Sequence, residues 1–199
     1  MLKALIFDLG NVLAFHDNEL LFAQMAKAYR TSREAMREKL SGDLWERVNK
    51  GKLPGDALRL ELNARLNGAL GEDEFFALWN CHFTLNPPMI ERVEQLEGRF
   101  QRVLLSNTHD QHIAFLRPKL PLLERFDGLV FSCEVGEMKP SPVVYQRALS
   151  LAGCAANEAC FFDDAVAYVE GARRLGLHAH VFTTVEQFDA DLEALTRRR

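Results

Sequence analysis

The chain has 199 residues, of which 48% are hydrophobic and 26% are charged. This length is typical of one large domain or of a core with one insertion, and the composition is too hydrophobic for an intrinsically disordered chain. The 24 Lys and Arg residues against 28 Asp and Glu residues give a formal net charge of −4, which supplies no basic field to attract nucleic acid.

The amino-terminal segment has the features of neither a secretory signal nor a membrane anchor. Only four apolar residues stand between Lys3 and Asp8, and no apolar run in the chain approaches the ~18 residues of a membrane span. We therefore expect a cytoplasmic protein that does not associate with a membrane.

The first predicted strand is residues 3–8, a short apolar run that ends at Asp8 and Gly10. Similar runs follow at 102–106, 159–163 and 178–182, with a weaker one at 128–132. Between them lie stretches of helical period at 89–97, 110–116, 142–152, 166–175 and 185–195. This alternation predicts an α/β fold with a Rossmann-like parallel sheet flanked by helices.

Residues 18–86 interrupt this alternation. They predict five helices, at 18–30, 32–40, 43–49, 56–66 and 72–80, with no strand among them. The segment returns through Asn86, Pro87 and Pro88, which cannot continue a helix and so predict a linker. We therefore expect an α/β core domain formed by residues 1–16 and 87–199, and a helical domain formed by residues 17–86.

Polar residues stand at the ends of four predicted strands. Each alone is explained as a turn, a helix cap or a solvated side chain. The carboxyl ends of parallel strands, however, meet at one edge of the sheet, where ligands bind. The polar residues together therefore predict one site there, and they are Asp8, then Ser106, Asn107 and Thr108, then Lys139, then Asp163 and Asp164.

These four segments resemble the motifs of the haloacid dehalogenase-like (HAD) hydrolase superfamily, and the resemblance covers essentially the whole chain. The matching letters are FDLGNV at 7–12, LSNT at 105–108, GEMKP at 136–140 and FFDD at 161–164. The helical segment resembles the family's cap, which is inserted just after the first motif. Within the superfamily, the motifs are most similar to a branch of small bacterial phosphatases that includes α-D-glucose-1-phosphate phosphatase.

The resemblance implies a phosphatase that forms an aspartyl-phosphate. A carboxylate that attacks phosphorus needs a divalent cation beside it, and Mg²⁺ prefers oxygen ligands. Asp8 would be the nucleophile, and Asp8, Asp164 and the carbonyl of Gly10 would hold Mg²⁺. Lys139 would neutralise charge on Asp8 and phosphate, while Asp163 would either orient Lys139 or contact the metal. The Ser106 hydroxyl and the amides of Asn107 and Thr108 would hold phosphoryl oxygens.

Two positions depart from the family pattern. Gly10 stands where most family phosphatases have an Asp that protonates the leaving oxygen, and Tyr168 stands where the fourth motif commonly has an Asp or Asn. The nearby candidates for another proton donor are His16, Asp17, His82 and His109, none of which the sequence singles out. The six His residues look scattered along the chain.

Aromatic residues recur at helical spacings in the inserted segment, and such stripes indicate core packing. They are Trp45, Phe75, Phe76, Trp79 and Phe83. Because Trp79 and His82 lie nearest the return to the core, we expect substrate contacts from the insertion to come from these two residues first.

Three functions fit the motifs. The first is a Mg²⁺-dependent phosphatase acting on a small phosphorylated metabolite; a sugar 1-phosphate is favoured because its leaving oxygen needs little help from an acid. The second is a HAD-like scaffold of little activity that binds a phosphorylated ligand or a protein, which Gly10 and Tyr168 favour. The third is a 2-haloacid dehalogenase, against which the adjacent Asp163 and Asp164 argue because they need a cation beside the nucleophile.

Overall fold

The computed structural model describes residues 1–197. The strands are β1 (Ala4–Phe7), β2 (Ala14–His16), β3 (Phe83–Leu85), β4 (Gln101–Ser106), β5 (Gly128–Phe131), β6 (Ala159–Asp163) and β7 (His178–Val181). The helices are α1 (Asn18–Ala28), α2 (Arg33–Leu40), α3 (Asp43–Asn49), α4 (Ala57–Leu66), α5 (Glu72–Trp79), α6 (Pro87–Glu94), α7 (Asp110–Leu116), α8 (Ser132–Val135), α9 (Pro142–Ala152), α10 (Val166–Arg174) and α11 (Val185–Arg197).

Five strands form one parallel sheet in the order β5-β4-β1-β6-β7. All four residues of β1 are fully buried, because helices cover both faces of the sheet. Leu5 and Phe7 face a layer that includes α6, α7 and α11, whereas Ala4 and Ile6 face α9 and α10. The predicted α/β fold is confirmed, and β1 at the centre of the sheet carries Asp8 at its carboxyl end.

The helices α1 to α5 form the helical insertion (residues 17–86), which buries a hydrophobic cluster of its own. Phe75 and Trp79 are both fully buried, with stacked rings whose centroids lie 5.9 Å apart. These two members of the aromatic stripe are therefore core residues, as predicted. In residues 1–197 no helix combines the length and the apolar character needed to cross a bilayer.

Two sequence predictions for this segment are wrong. The insertion was expected to contain no strand, yet β3 pairs antiparallel with β2, so that His16 lies opposite Phe83. A strand of three residues shows no alternation along the chain, and it forms only because β2 lies beside it. The expected linker at 86–88 is also wrong, since Pro87 begins α6, where the missing amide proton costs no hydrogen bond.

The insertion contacts the core at points away from the β2–β3 ribbon. The amide of Gly55 donates to Asp110 Oδ2 at 2.5 Å, and the indole of Trp79 donates to His109 Nε2 at 2.9 Å. Gly51 has φ +69°, and a Cβ built on it would lie 2.1 Å from the carbonyl oxygen of Cys133. The two parts therefore approach backbone to backbone at Gly51.

We expect Gly51→Ala to lower the free energy of unfolding by about 1–3 kcal/mol, because the new methyl forces the insertion away from the core. Gly55→Ala is the matched control, since Gly55 also has positive φ but no atom within 4 Å of its Cβ position. Urea unfolding of both variants measures the difference. Equal losses would show that the left-handed backbone alone, and not the contact with Cys133, determines the effect.

Candidate active site

A cavity of about 250 Å³ lies at the carboxyl ends of β1, β4 and β6, between the sheet and the helical insertion. Seven of the eight predicted site residues line this cavity, and the eighth, Asp163, is fully buried behind it. The seven are Asp8, Gly10, Ser106, Asn107, Thr108, Lys139 and Asp164. The structure thus brings the four motifs together, as expected from parallel strands that end at one edge.

Lys139 is buried in the floor of the cavity and its ammonium group has three partners. Its Nζ lies 2.7 Å from Asp8 Oδ1 and 2.6 Å from Asp163 Oδ2, and it donates to the carbonyl of Leu105 at 3.2 Å. Asn107 fixes the backbone of the lysine, accepting from its amide at 2.8 Å and donating to its carbonyl at 3.1 Å. The three oxygen partners of Nζ together occupy all three ammonium protons.

Three carboxylates meet beside this lysine. Ligand oxygens of Asp8, Asp163 and Asp164 all lie within 4.8 Å of one another. The two oxygens of Asp163 accept from Lys139 and from the amide of Ala165, the latter at 2.8 Å. Asp8 Oδ2 and Asp164 Oδ1, by contrast, accept no hydrogen bond within residues 1–197. Asp8 and Asp164 therefore each keep one oxygen for a ligand.

The charges in this cluster do not balance, because one lysine faces three carboxylates. Burial raises the pKa of Asp8 to about 7; Asp163 adds to the rise and Lys139 opposes it. For Lys139, burial lowers the pKa, but the paired carboxylates outweigh it and raise the pKa above its ordinary value. Lys139 thus stays charged, and a further positive charge near Asp8 would favour its ionised form.

Asn11 supports the carboxylate of Asp164. Its side-chain amide donates to Asp164 Oδ2 at 2.7 Å, and its side-chain oxygen accepts from the backbone amide of His16 at 3.3 Å. Tyr168, the other departure from the family pattern, lines the cavity with its ring centroid 5.0 Å from Lys139 Nζ. The chain thus orients Asp164 from the first motif, a role that the sequence analysis missed.

The predicted phosphate cradle is partly occupied by protein contacts. The amide of Thr108, expected to hold a phosphoryl oxygen, donates to Ser132 Oγ at 2.9 Å, and that hydroxyl donates back to the Thr108 carbonyl at 3.0 Å. This amide therefore has no proton left for a ligand. The buried Ser106 and Asn107 remain at the cavity wall, although the side chain of Asn107 is bonded to the backbone of Lys139.

Four histidines that are distant in sequence form one cluster beside the cavity, so the expectation of scattered histidines is wrong. The ring centroids are 3.8 Å apart for His109 and His112, 5.3 Å for His82 and His112, and 6.4 Å for His16 and His82. Pairing of β2 with β3 brings His16 and His82 together, while α7 carries His112 and His109 directly precedes that helix.

Burial lowers the pKa values of the histidines among the candidate proton donors to different extents. It lowers the pKa of His82 to about 4, that of His109 to about 3 and that of His112 well below the ordinary value, so all three are neutral at pH 7. Asp17 caps α1 by accepting from the amide of Leu20 at 3.0 Å. The pKa of His16 is lowered as well, because the effect of burial exceeds the opposing effect of the carboxylates of Asp164 and Asp17.

The insertion contributes more to the cavity than the sequence indicated. His82 lines it as expected, whereas Trp79 is fully buried and bonds His109 instead. Trp45 and Asn49 of α3 also line it. Asn49 is 2% exposed, and a buried polar residue on the apolar face of a helix is the signal that could have found it.

The chain is similar in sequence to known proteins over most of its length. The chain is 22% identical to D-ribitol-5-phosphate phosphatase of Bacteroides thetaiotaomicron, over 88% of this chain and 89% of that protein. It is 26% identical to acyl-CoA dehydrogenase family member 10 of Mus musculus over 97% of this chain, which spans 19% of that longer protein.

A solved structure shows the same fold. A HAD family enzyme of Bacteroides thetaiotaomicron, crystallised with magnesium and inorganic phosphate, superposes with a TM-score of 0.85 at 22% identity, over 93% of this chain and 96% of that one. The model of the haloacid dehalogenase-like hydrolases matches residues 2–176. Because this match covers most of the sequence, the chain belongs to the haloacid dehalogenase-like hydrolase family.

Proposed function

We propose that this protein is a Mg²⁺-dependent phosphatase that hydrolyses a small phosphorylated metabolite through an aspartyl-phosphate on Asp8. The observation that carries the proposal is the arrangement of the buried Asp8 and Lys139 and the exposed Asp164 around one cavity. A nucleophilic carboxylate, a fixed cation and a metal-ligating carboxylate are the groups that phosphoryl transfer through an aspartyl ester requires.

The donor set fits Mg²⁺. Asp164 Oδ1 is a hard oxygen ligand without a protein donor, and the carboxylate of Asp8 and the carbonyl of Gly10 would add two more. When bound, the ion supplies the positive charge that lets an anionic carboxylate approach a phosphate. Asp163 has both oxygens occupied, so its role in the proposal is to hold Lys139 in place.

The chain's own groups then perform the displacement. Asp8 attacks phosphorus with Oδ2, while Oδ1 stays held by the amide of Leu9 at 2.8 Å and by Lys139. Lys139 offsets charge through proximity, since its protons are already engaged. Ser106 and Asn107 face the phosphoryl oxygens from the end of β4. Water hydrolyses the aspartyl ester and restores Asp8.

The helical insertion acts in this proposal as a cap over the core, to which we assign residues 1–16 and 87–199, the last two of which lie outside the described residues. Its own hydrophobic cluster gives it a separate interior, and Trp45, Asn49 and His82 close the cavity opposite Asp8. A cavity of about 250 Å³ with an indole and an amide in its wall suits a small polyol or sugar phosphate.

Within that class, the leaving-group argument favours sugar 1-phosphates over their 6-phosphate isomers. The relative from Bacteroides is named for a 5-phosphate ester of a polyol, so both kinds of ester belong in the test. A panel of sugar 1- and 6-phosphates, D-ribitol 5-phosphate, nucleotides and 2-haloacids, with and without Mg²⁺, identifies the substrate. Halide release without metal would instead establish a dehalogenase.

Removal of the metal should abolish phosphate release, because Asp8 and Asp164 then repel the substrate. We expect EDTA to abolish the phosphatase activity of the wild type. Asp164→Ala should need at least ~10-fold more Mg²⁺ for half-maximal activity, because one ligand is lost. Asp73→Ala, a change on the exposed first turn of α5, is the matched control. Mg²⁺ should also raise the melting temperature of the wild type more than that of Asp164→Ala. Phosphatase activity indifferent to EDTA would contradict the metal assignment.

A further inference from the structure

An alkyl phosphate leaves slowly unless its departing oxygen receives a proton, and a positioned acid typically contributes ~10²–10⁴-fold. The groups around the cavity limit which side chain can give that proton. Lys139 has all three protons engaged, and Asp8 and Asp164 are needed as carboxylates. His82 and His112 are buried against each other, with ring centroids 5.3 Å apart, whereas His16 is only partly buried. His16 is the remaining histidine at the wall.

The surroundings of Gly10 point to the same residue. Gly10 lies two positions after Asp8, and its φ is outside the left-handed region, so its backbone does not require glycine. A Cβ built on Gly10 would lie 3.1 Å from Cε1 and 3.2 Å from Nδ1 of His16, and 3.8 Å from Asp8 Oδ2. The imidazole thus lies directly against the position that a Cβ at residue 10 would take, close to the nucleophile.

Local structure fixes the backbone of His16 beside Gly10. The chain turns back after β1, with Asn11 at φ +53° and its amide donating to the carbonyl of Ala14 at 2.8 Å. The side chain of Asn11 then accepts from the amide of His16 while it supports Asp164. Strand β2 carries His16 and pairs with β3, where His16 lies opposite Phe83, so the position of its backbone is fixed.

We propose that His16 is the catalytic residue that transfers protons in this reaction, an inference that rests on the proposed phosphatase function. In the first step Asp8 Oδ2 bonds to phosphorus, the bond to the leaving oxygen breaks, and the His16 imidazolium gives that oxygen its proton, releasing the alcohol. In the second step neutral His16 takes a proton from the attacking water, the bond between Asp8 and phosphorus breaks, and phosphate leaves.

The test compares two esters that differ in their need for a proton. For His16→Ala, kcat/KM on glycerol 1-phosphate should fall ~10²–10⁴-fold, whereas kcat/KM on p-nitrophenyl phosphate should fall much less, because its leaving anion is stable. Hydrolysis of the phosphoenzyme should also slow. Rapid mixing with p-nitrophenyl phosphate should therefore give a burst of one nitrophenolate per site. His178→Ala, at the exposed start of β7, is the matched control and should behave as wild type.

A second pair of variants tests the geometry itself. Gly10→Asp should melt below the wild type because its side chain collides with His16, whereas Gly10→Asp combined with His16→Ala should fold normally. The double variant should also recover most of the kcat/KM on glycerol 1-phosphate that His16→Ala loses, because the new carboxyl then occupies the vacated space.

The outcomes separate the two ideas. A wild type that releases phosphate from neither ester, with Mg²⁺ present, contradicts the phosphatase function. If the wild type is active but His16→Ala loses kcat/KM equally on both esters, or shows no burst, the role of His16 is overturned while the phosphatase function stands. A folded double variant that is no faster than His16→Ala on glycerol 1-phosphate overturns it as well.

Discussion

Asp8→Asn should show no measurable turnover of any phosphate ester, a loss of several orders of magnitude. The amide cannot form the aspartyl-phosphate, and it is a weaker metal ligand than the carboxylate. The measurement is phosphate release across the substrate panel with saturating Mg²⁺. Asp127→Asn is a useful control, because Asp127 accepts from the amide of Arg102 at 2.7 Å beside the start of β4, away from the cavity. Ordinary activity in Asp8→Asn would remove Asp8 from the mechanism.

The same variant should fold at least as well as the wild type, which separates lost chemistry from lost structure. Burial raises the pKa of Asp8 from 3.8 to about 7, so the folded protein binds this proton more tightly than the unfolded chain does. With EDTA present, the contribution of Asp8 to stability is complete below about pH 4 and is lost as the pH rises towards 7. In urea unfolding measured from pH 4 to 8, the free energy of unfolding of Asp8→Asn should therefore fall less with rising pH than that of the wild type.

The sequence predicts the main sheet and most of the site for the same physical reason. Buried parallel strands appear as short apolar runs, and the chain order of those runs places Asp8, Ser106 and Asp164 at one edge without any knowledge of side-chain contacts. Structure that depends on contacts between distant segments could not be predicted from the sequence. The pairing of β2 with β3 is such a case, because each strand has three residues and forms only against the other.

Side-chain neighbours were harder still to predict. The glycine at position 10 looks like a missing acid when the motif is considered alone. The structure shows His16 directly against this position, since the turn at Asn11 brings the chain back towards Asp8. The contact between Trp79 and His109 likewise depends on how the insertion sits on α7. No local pattern of residue types encodes either contact.

Lys139→Ala should lower kcat by ~10²-fold or more, because a preorganised positive charge is lost from beside the nucleophile. It should also destabilise the protein by about 3–5 kcal/mol, because buried carboxylates lose their shared partner. The side chains of Lys139 and Asp163 are 0% exposed, so water cannot replace the missing charge. Lys3→Ala is the matched control: Lys3 pairs with Glu158 at the surface, and its loss should change neither activity nor stability appreciably.

Because that instability alone could abolish activity, a second variant separates the loss of stability from the loss of the catalytic charge. Lys139→Met combined with Asp163→Asn replaces the buried ion pair by groups without charge, an exchange that is often neutral for stability. The double variant should therefore unfold at a urea concentration close to that of the wild type, while kcat stays at least ~10²-fold lower. Near-normal kcat in this folded double variant would show that Lys139 serves only to neutralise Asp163, and that the phosphoryl group is stabilised by other residues.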